Sequence, residues 1–260
     1  MRSNRFRTSI PLFRLFGIPV GLDYSWFLIF ALLTWVLASS YYPAEFRDWP
    51  TSRYWLTAAA TSVLYFVSLL LHELGHSAVA IRYRMPVRGI TLFIFGGVAE
   101  IATEPPTAIA EFLIALAGPL VSLAIALALF LLQPLLSGTG PLLGTAKYLA
   151  YMNFAVALFN LIPGYPLDGG RVLRAAVWAV TRDMRRSTLI AARVGRGFAF
   201  LFIVVGVWQG LTGNFGGGLW IAFIGWFLDA AATAQVAQTT FQGLLAGASG
   251  IPPPPPAITW

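Results

Sequence analysis

The chain has 260 residues, 58% of them hydrophobic and 10% charged, where a soluble domain carries about 25% charged residues; a soluble fold is excluded and a polytopic membrane protein indicated. Cysteine is absent and histidine occurs only twice, which rules out disulfides, thiolate ligands and a cysteine nucleophile. The net charge of +7 fits arginine-rich cytosolic loops better than nucleic-acid binding, so no nucleic-acid partner is expected.

Residues 1 to 22 carry Arg2, Arg5, Arg7 and Arg14 ahead of a first span from about Tyr24 to Ser40. This leader is too long before the apolar run to read as a signal peptide. Arg47, Asp48 and Arg53, with Trp49 and Trp55 as interfacial aromatics, mark the next loop. The second span runs from about Tyr54 to Ala80 and contains no charge from Leu56 to Leu71. It ends in His72, Glu73 and His76, an H-E-x-x-H pattern that places two imidazoles on one face of a helix, one turn apart. Two neutral imidazoles so placed can share one Zn²⁺. Glu73 lies about 100° around the helix from His72, beside the metal position, where a carboxylate can accept a proton from water. A histidine pair inside an apolar span is expensive unless it has a task, which favours a metal site over two hydrogen-bonded core histidines.

Residues 89 to 102, GITLFIFGGVAEIA, are too short and too glycine-broken to cross as a helix. With β-branched and aromatic residues on either side of Gly96 and Gly97, they read as a β-hairpin; backbone of this kind is tolerated at membrane depth only against protein or a wet cavity, so it belongs beside the metal site. An interfacial loop is the alternative. The third span, about Ile109 to Leu132, holds Ala115, Ala117, Gly118, Pro119 and Ser122, small residues that suit close packing on the second span. The fourth, about Ala146 to Ile162, breaks at Pro163 and Pro166 and places Asp168 in the turn that follows. Residues Arg171 to Asp183 read as a short amphipathic helix. A fifth span from about Phe198 to Leu211 and a sixth from about Leu219 to Val236 complete the set, with Asp229 near mid-span in the sixth. Residues 1–237 are thus expected to form one transmembrane domain, and 238–260, with prolines at 252 to 256, a flexible proline-rich tail.

The fold class expected is therefore an all-α polytopic membrane protein of about six transmembrane helices, with a short membrane-associated β-hairpin after the second. With the N-terminus inside, fourteen of the 17 Lys and Arg fall on cytosolic segments and only Arg47, Arg53 and Lys147 outside, which makes both termini cytosolic. From Trp55 to His72 is about 25 Å of helix in a hydrocarbon core about 30 Å thick, so the metal site belongs in the cytosolic leaflet of the cell membrane.

Catalytic zinc commonly takes three protein ligands. With no cysteine and no third histidine, the third must be a carboxylate: Asp168 leads, with Glu100, Glu104 and Asp229 as alternatives. Asn160, one heptad after Asn153, faces inward by the same periodicity, either as a polar contact between spans or as a donor to substrate.

HELGH at 72 to 76, FGGVAE at 95 to 100, AGPLVS at 117 to 122 and FNLIPGYPLDGGR at 159 to 171 together resemble the site-2 protease family of intramembrane zinc metalloproteases. The resemblance covers about residues 55 to 180. It implies one zinc per chain bound by His72, His76 and Asp168, Glu73 as catalytic base, Asn160 assisting at the reacting carbonyl, and cleavage of single-span membrane proteins in the bilayer. The six-span arrangement is similar to the subgroup that often adds a pair of cystathionine-β-synthase domains after the last span; here a proline run follows instead, and no PDZ insertion is visible. Two other classes compete. A catalytically silent zinc-binding membrane protein would keep both histidines without needing Glu73, and a zinc transporter would spread its ligands along a path rather than at one depth. If substrates are transmembrane helices they must unwind, and residues 90 to 100, with Gly96 and Gly97, together with Asn160, would hold the extended segment by strand addition.

Overall fold

A computed structural model describes residues 9–249 and 258–259. In chain order the elements are β1 (Ser9–Leu15), β2 (Ile18–Asp23), α1 (Ser25–Val36), α2 (Tyr42–Glu45), α3 (Thr51–Arg82), β3 (Val87–Phe93), β4 (Gly96–Ile101), α4 (Ala108–Leu132), α5 (Gly140–Asn160), α6 (Asp168–Thr181), α7 (Met184–Leu211), α8 (Phe215–Ser249) and β5 (Ile258–Thr259). Six helical segments are long and apolar enough to cross a membrane: Ser25–Glu45, Thr51–Arg82, Ala108–Leu136, Gly140–Asn160, Met184–Leu211 and Phe215–Phe241. The expected all-α multi-pass membrane architecture is what the chain adopts.

Several boundaries differ from the expectation, each for a local reason. Helix α7, which carries the fifth span, starts at Met184, well before the apolar run, because the Asp183 side chain caps it by accepting from the Arg186 amide at 3.0 Å, and the Arg- and Ala-rich stretch that follows suits a helix. Helix α8 continues through residues 238–249, which precede the first proline of the run, so the irregular tail does not begin at Gln238. The prolines at 252 to 256 lie outside the described residues. The N-terminal stretch, read as a leader, forms a hairpin of β1 and β2 whose turn, Phe16–Gly17, has φ of +50° and +83°. Positive φ at both central residues suits the twist of a two-residue hairpin loop.

The chain divides into two compact units. The first holds residues 9–104, 117–158 and 258–259 of those described. Its sheet runs in the order β1-β2-β3-β4-β5, with β2 and β3 parallel and the other pairs antiparallel. Alternation puts Ile18, Val20, Leu22, Ile90, Leu92 and Ala99 into one core with Phe66 and Leu70 of α3, which fixes the sheet beside the turn that carries His72. The hairpin expected around Gly96-Gly97 is present, but its turn is Ile94–Phe95; Phe93 pairs with Gly96, so the two glycines open β4.

Helix α3 buries most of its polar side chains. Beside Ala58, Phe66, Leu70 and Ala80, its buried face carries Thr57, Thr61, Ser62, Ser68, His72, Glu73, His76 and Ser77, while Leu56, Val63, Leu64, Val67 and Leu71 point outward. In lipid this is the stable arrangement, because apolar side chains lose nothing by facing acyl chains and polar ones need partners. Partners are in place for three of them: Thr34 bonds Ser62 at 3.0 Å, Tyr42 and Thr145 bond Thr61 at 2.6 and 2.9 Å, and Asn153 Nδ2 donates to Ser68 at 3.1 Å.

The second unit holds residues 105–116 and 159–249 of those described, including α6, α7 and α8. Glycines let its backbone segments touch: a Cβ on Gly170 would lie 2.3 Å from the Tyr165 amide nitrogen, so the loop after α5 lies directly on the start of α6.

Candidate metal centre

His72 and His76 are adjacent on the buried face of α3, 4% and 1% exposed, with their Nε2 atoms 3.2 Å apart. Two nitrogens bound to one tetrahedral zinc at 2.0–2.1 Å would be about 3.3 Å apart. The facing turn of α4 leaves room for that convergence. A Cβ on Gly118 would sit 2.2 Å from His76 Nε2 and 2.6 Å from His72 Nε2, so any other residue there would fill the space in front of both rings. One turn on, Ser122 Oγ is 2.9 Å from His72 Nδ1. In the tautomer that leaves Nε2 bare for a metal, Nδ1–H donates to Ser122, which fixes the ring's orientation.

Glu73 is also buried, at 7% exposure. Its carboxylate lies against β4, where a Cβ on Gly97 would come within 2.5 Å of Glu73 Cγ and 3.1 Å of Oε1. The placement of the hairpin beside this carboxylate agrees with the expectation; the reason Gly97 must be glycine is the room it leaves for Glu73, not a turn.

Asp168 is the first residue of α6 rather than part of the preceding turn, and it is buried. A carboxylate in the first turn is favoured by the helix dipole. One ligand atom from each of His72, His76 and Asp168 lies within 4.8 Å of the others, a group able to hold a metal ion. Among the described residues, Glu100, Glu104 and Asp229 belong to no such group. Asp229 instead accepts from Arg196 Nε at 2.9 Å, a partly exposed ion pair. Asn160 closes α5 half-buried, and Asn153, buried at 2% exposure, is committed to Ser68 and the Leu149 carbonyl. Two buried imidazoles and a buried carboxylate, with no sulfur ligand, suit Zn²⁺.

Comparison with known proteins decides the family. The model of peptidase family M50 matches residues 60–147 and 138–204. The chain belongs to peptidase family M50. It is 41% identical over 244 residues to the zinc metalloprotease Rip3 of Mycobacterium tuberculosis, covering 93% of this chain and 62% of that protein. It is 41% identical over 230 residues to a zinc metalloprotease of Synechocystis sp., covering 88% and 60%. The solved Site-2 Protease from Methanocaldococcus jannaschii superposes with a TM-score of 0.60 at 30% identity, over 88% of this chain and 95% of that one. The M50 chain thus spans about three fifths of the length of these curated relatives. The relatives' shared designation agrees with zinc as the metal that this donor set fits.

Other residues of this M50 chain support the site without an H-E-x-x-H-like signal to betray them. In the second unit Glu111, in the first turn of α4, is fully buried and pairs with Arg174 and, at 3.8 Å, with Arg171 of α6. Burial pulls the pKa of the Arg171 guanidinium down to about 10 against the opposing pull of the Glu111 carboxylate, so the guanidinium stays charged at neutral pH. These ion pairs tie the helix that begins with Asp168 to the start of α4. In sequence both arginines read only as contributions to the positive loops. The hint available was spacing: Asp168, Arg171 and Arg174 lie three apart on the buried face of a strongly amphipathic helix.

Proposed function

We propose that this chain is an intramembrane endopeptidase that hydrolyses peptide bonds within or near the transmembrane segments of single-span membrane proteins, with one zinc held by His72, His76 and Asp168. The observation that carries the reading is the convergence of three buried ligand atoms within 4.8 Å, two of them on a membrane-length helix that also presents Glu73. When bound, zinc makes water nucleophilic near neutral pH and polarises a carbonyl. Glu73 is the general base: its carboxylate takes the proton of the attacking water and returns it to the departing amide nitrogen. Gly97 keeps the space around that carboxylate open. Ser122 holds the His72 ring, and the Glu111 ion pairs hold α6. Asn160 supplies amide hydrogen bonds to the substrate backbone. The extended substrate adds to the edge of β4, where Gly96 and Gly97 begin the strand. Orientation follows the basic residues, with both termini cytosolic and the site in the cytosolic leaflet.

The test is to incubate the purified chain in detergent with a panel of single-span substrates, with chelator, and with zinc restored after chelation. Cleavage that disappears with chelator and returns with zinc supports the proposal. A zinc-loaded protein that cuts none of the panel, and behaves the same as Glu73→Gln, would reduce it to a silent metal binder.

A further inference from the structure

Away from the metal centre, within the second unit, Arg193, Arg196, Gly197, Phe200, Ile203 and Asp229 line an open groove of about 520 Å³ between α7 and α8. Arg193, Arg196, Phe200 and Ile203 follow at spacings of three, four and three, so they form one stripe along α7. The stripe is charged at one end and apolar at the other over ten residues, about 15 Å of helix. Asp229 fixes Arg196 by accepting from its Nε at 2.9 Å, and the two guanidiniums and one carboxylate leave a single net positive charge. The wall between the charged and apolar ends is Gly197, where a Cβ would meet no atom within 4 Å.

Depth gives this polarity a meaning. Arg196 lies 15 residues before Leu211, where α7 ends, which is about 22 Å along the axis of a span crossing about 30 Å of hydrocarbon. The backbone of Arg193 and Arg196 therefore sits about 3 and 8 Å inside one boundary, within reach of the headgroup layer along their own stems, while Phe200 and Ile203 lie deeper in the acyl region. Phosphate outside and hydrocarbon inside is the order of groups in a glycerophospholipid, and basic pockets between membrane helices suit anionic headgroups. We propose that this groove is a binding site for one anionic glycerophospholipid, its phosphodiester at Arg193 and Arg196 and an acyl chain along Gly197, Phe200 and Ile203.

Native mass spectrometry of the full chain in detergent supplied with equimolar phosphatidylglycerol and phosphatidylcholine tests it without reference to proteolysis. The wild type should retain one phosphatidylglycerol in preference to phosphatidylcholine. Arg193→Gln should weaken that retention about fivefold, the weight of one basic residue at an anionic surface. Gly197→Leu should abolish it by filling the groove, with the unfolding temperature in lipid-free detergent unchanged because the new side chain projects into open space. Equal retention of the two lipids by the wild type, or undiminished phosphatidylglycerol on both variants, would overturn the proposal. So would displacement of the lipid by millimolar inorganic phosphate, which would show a site for the anion alone.

Discussion

Two glycines shape the metal centre by what they lack. Gly118 leaves the space in which the two Nε2 atoms converge, and Gly97 leaves the space in which the Glu73 carboxylate lies. Neither role is visible in sequence, where Gly118 reads as one small residue among several in a span and Gly97 as part of a turn. The roles of the acidic residues separate cleanly by experiment. Glu73→Gln keeps the size and hydrogen-bonding ability of the side chain but not its basicity, so zinc content should stay at one per chain while cleavage falls by about 10²- to 10⁴-fold. Asp168→Ala should behave in the opposite order, with zinc measured on the purified protein falling first. Full zinc in Asp168→Ala, with loss in Glu100→Ala or Glu104→Ala, would reassign the third ligand.

Strand order decides where an extended peptide could be held. Strand β3 is interior, bonded to β2 on one side and β4 on the other, so proline at Thr91 or Phe93 would damage the sheet rather than a free edge. Strand β5 pairs with β4 only at Glu100 and Ile101, which leaves the outer edge of β4 along residues 96–99 without a neighbouring strand among the described residues. An unwound transmembrane segment carries amides that cost several kcal/mol each if unpaired in lipid, and such an edge can pair them. The chain has no cysteine, so Val98→Cys introduces a single thiol. It should form a disulfide with a cysteine near the scissile bond of a substrate several times more readily than Leu12→Cys on β1 at the other side of the sheet. Equal yields would remove β4 as the substrate edge. The Glu111 ion pairs are the other element-scale device: Glu111→Ala leaves two buried guanidiniums without that carboxylate, and should destabilise the protein by about 3–5 kcal/mol, read as a drop in unfolding temperature.

Topology belongs to the whole chain, and the lopsided arginine distribution makes it testable. Reporter fusions after Gly138 and Gly216 should report outside and one after Arg186 inside. An inside signal at Gly138 would invert the assignment of the third and fourth spans. The arginines at 185, 186, 193 and 196 lie on a helix continuous with the fifth span, so the charged surface of that span is part of the helix and not a separate loop.

What the amino-acid sequence determined by itself was whatever depends on neighbours along the chain. Membrane class follows from composition, the pairing of the two histidines from a four-residue helical offset, and the expectation of a carboxylate as third ligand from the absence of cysteine and further histidine. What only the tertiary structure decided was whatever depends on residues meeting across the chain. Strand β2 pairs with β3 in parallel through a long connection, and nothing local to Ile18–Asp23 announces a partner some seventy residues on. Glu111 finds Arg171 and Arg174 only when the start of α4 folds against α6. The glycines at 97 and 118 acquire their meaning from the side chains opposite them. Local geometry has a fixed period and can be read in advance, whereas a close approach between distant segments is set by packing, which no spacing in the sequence encodes.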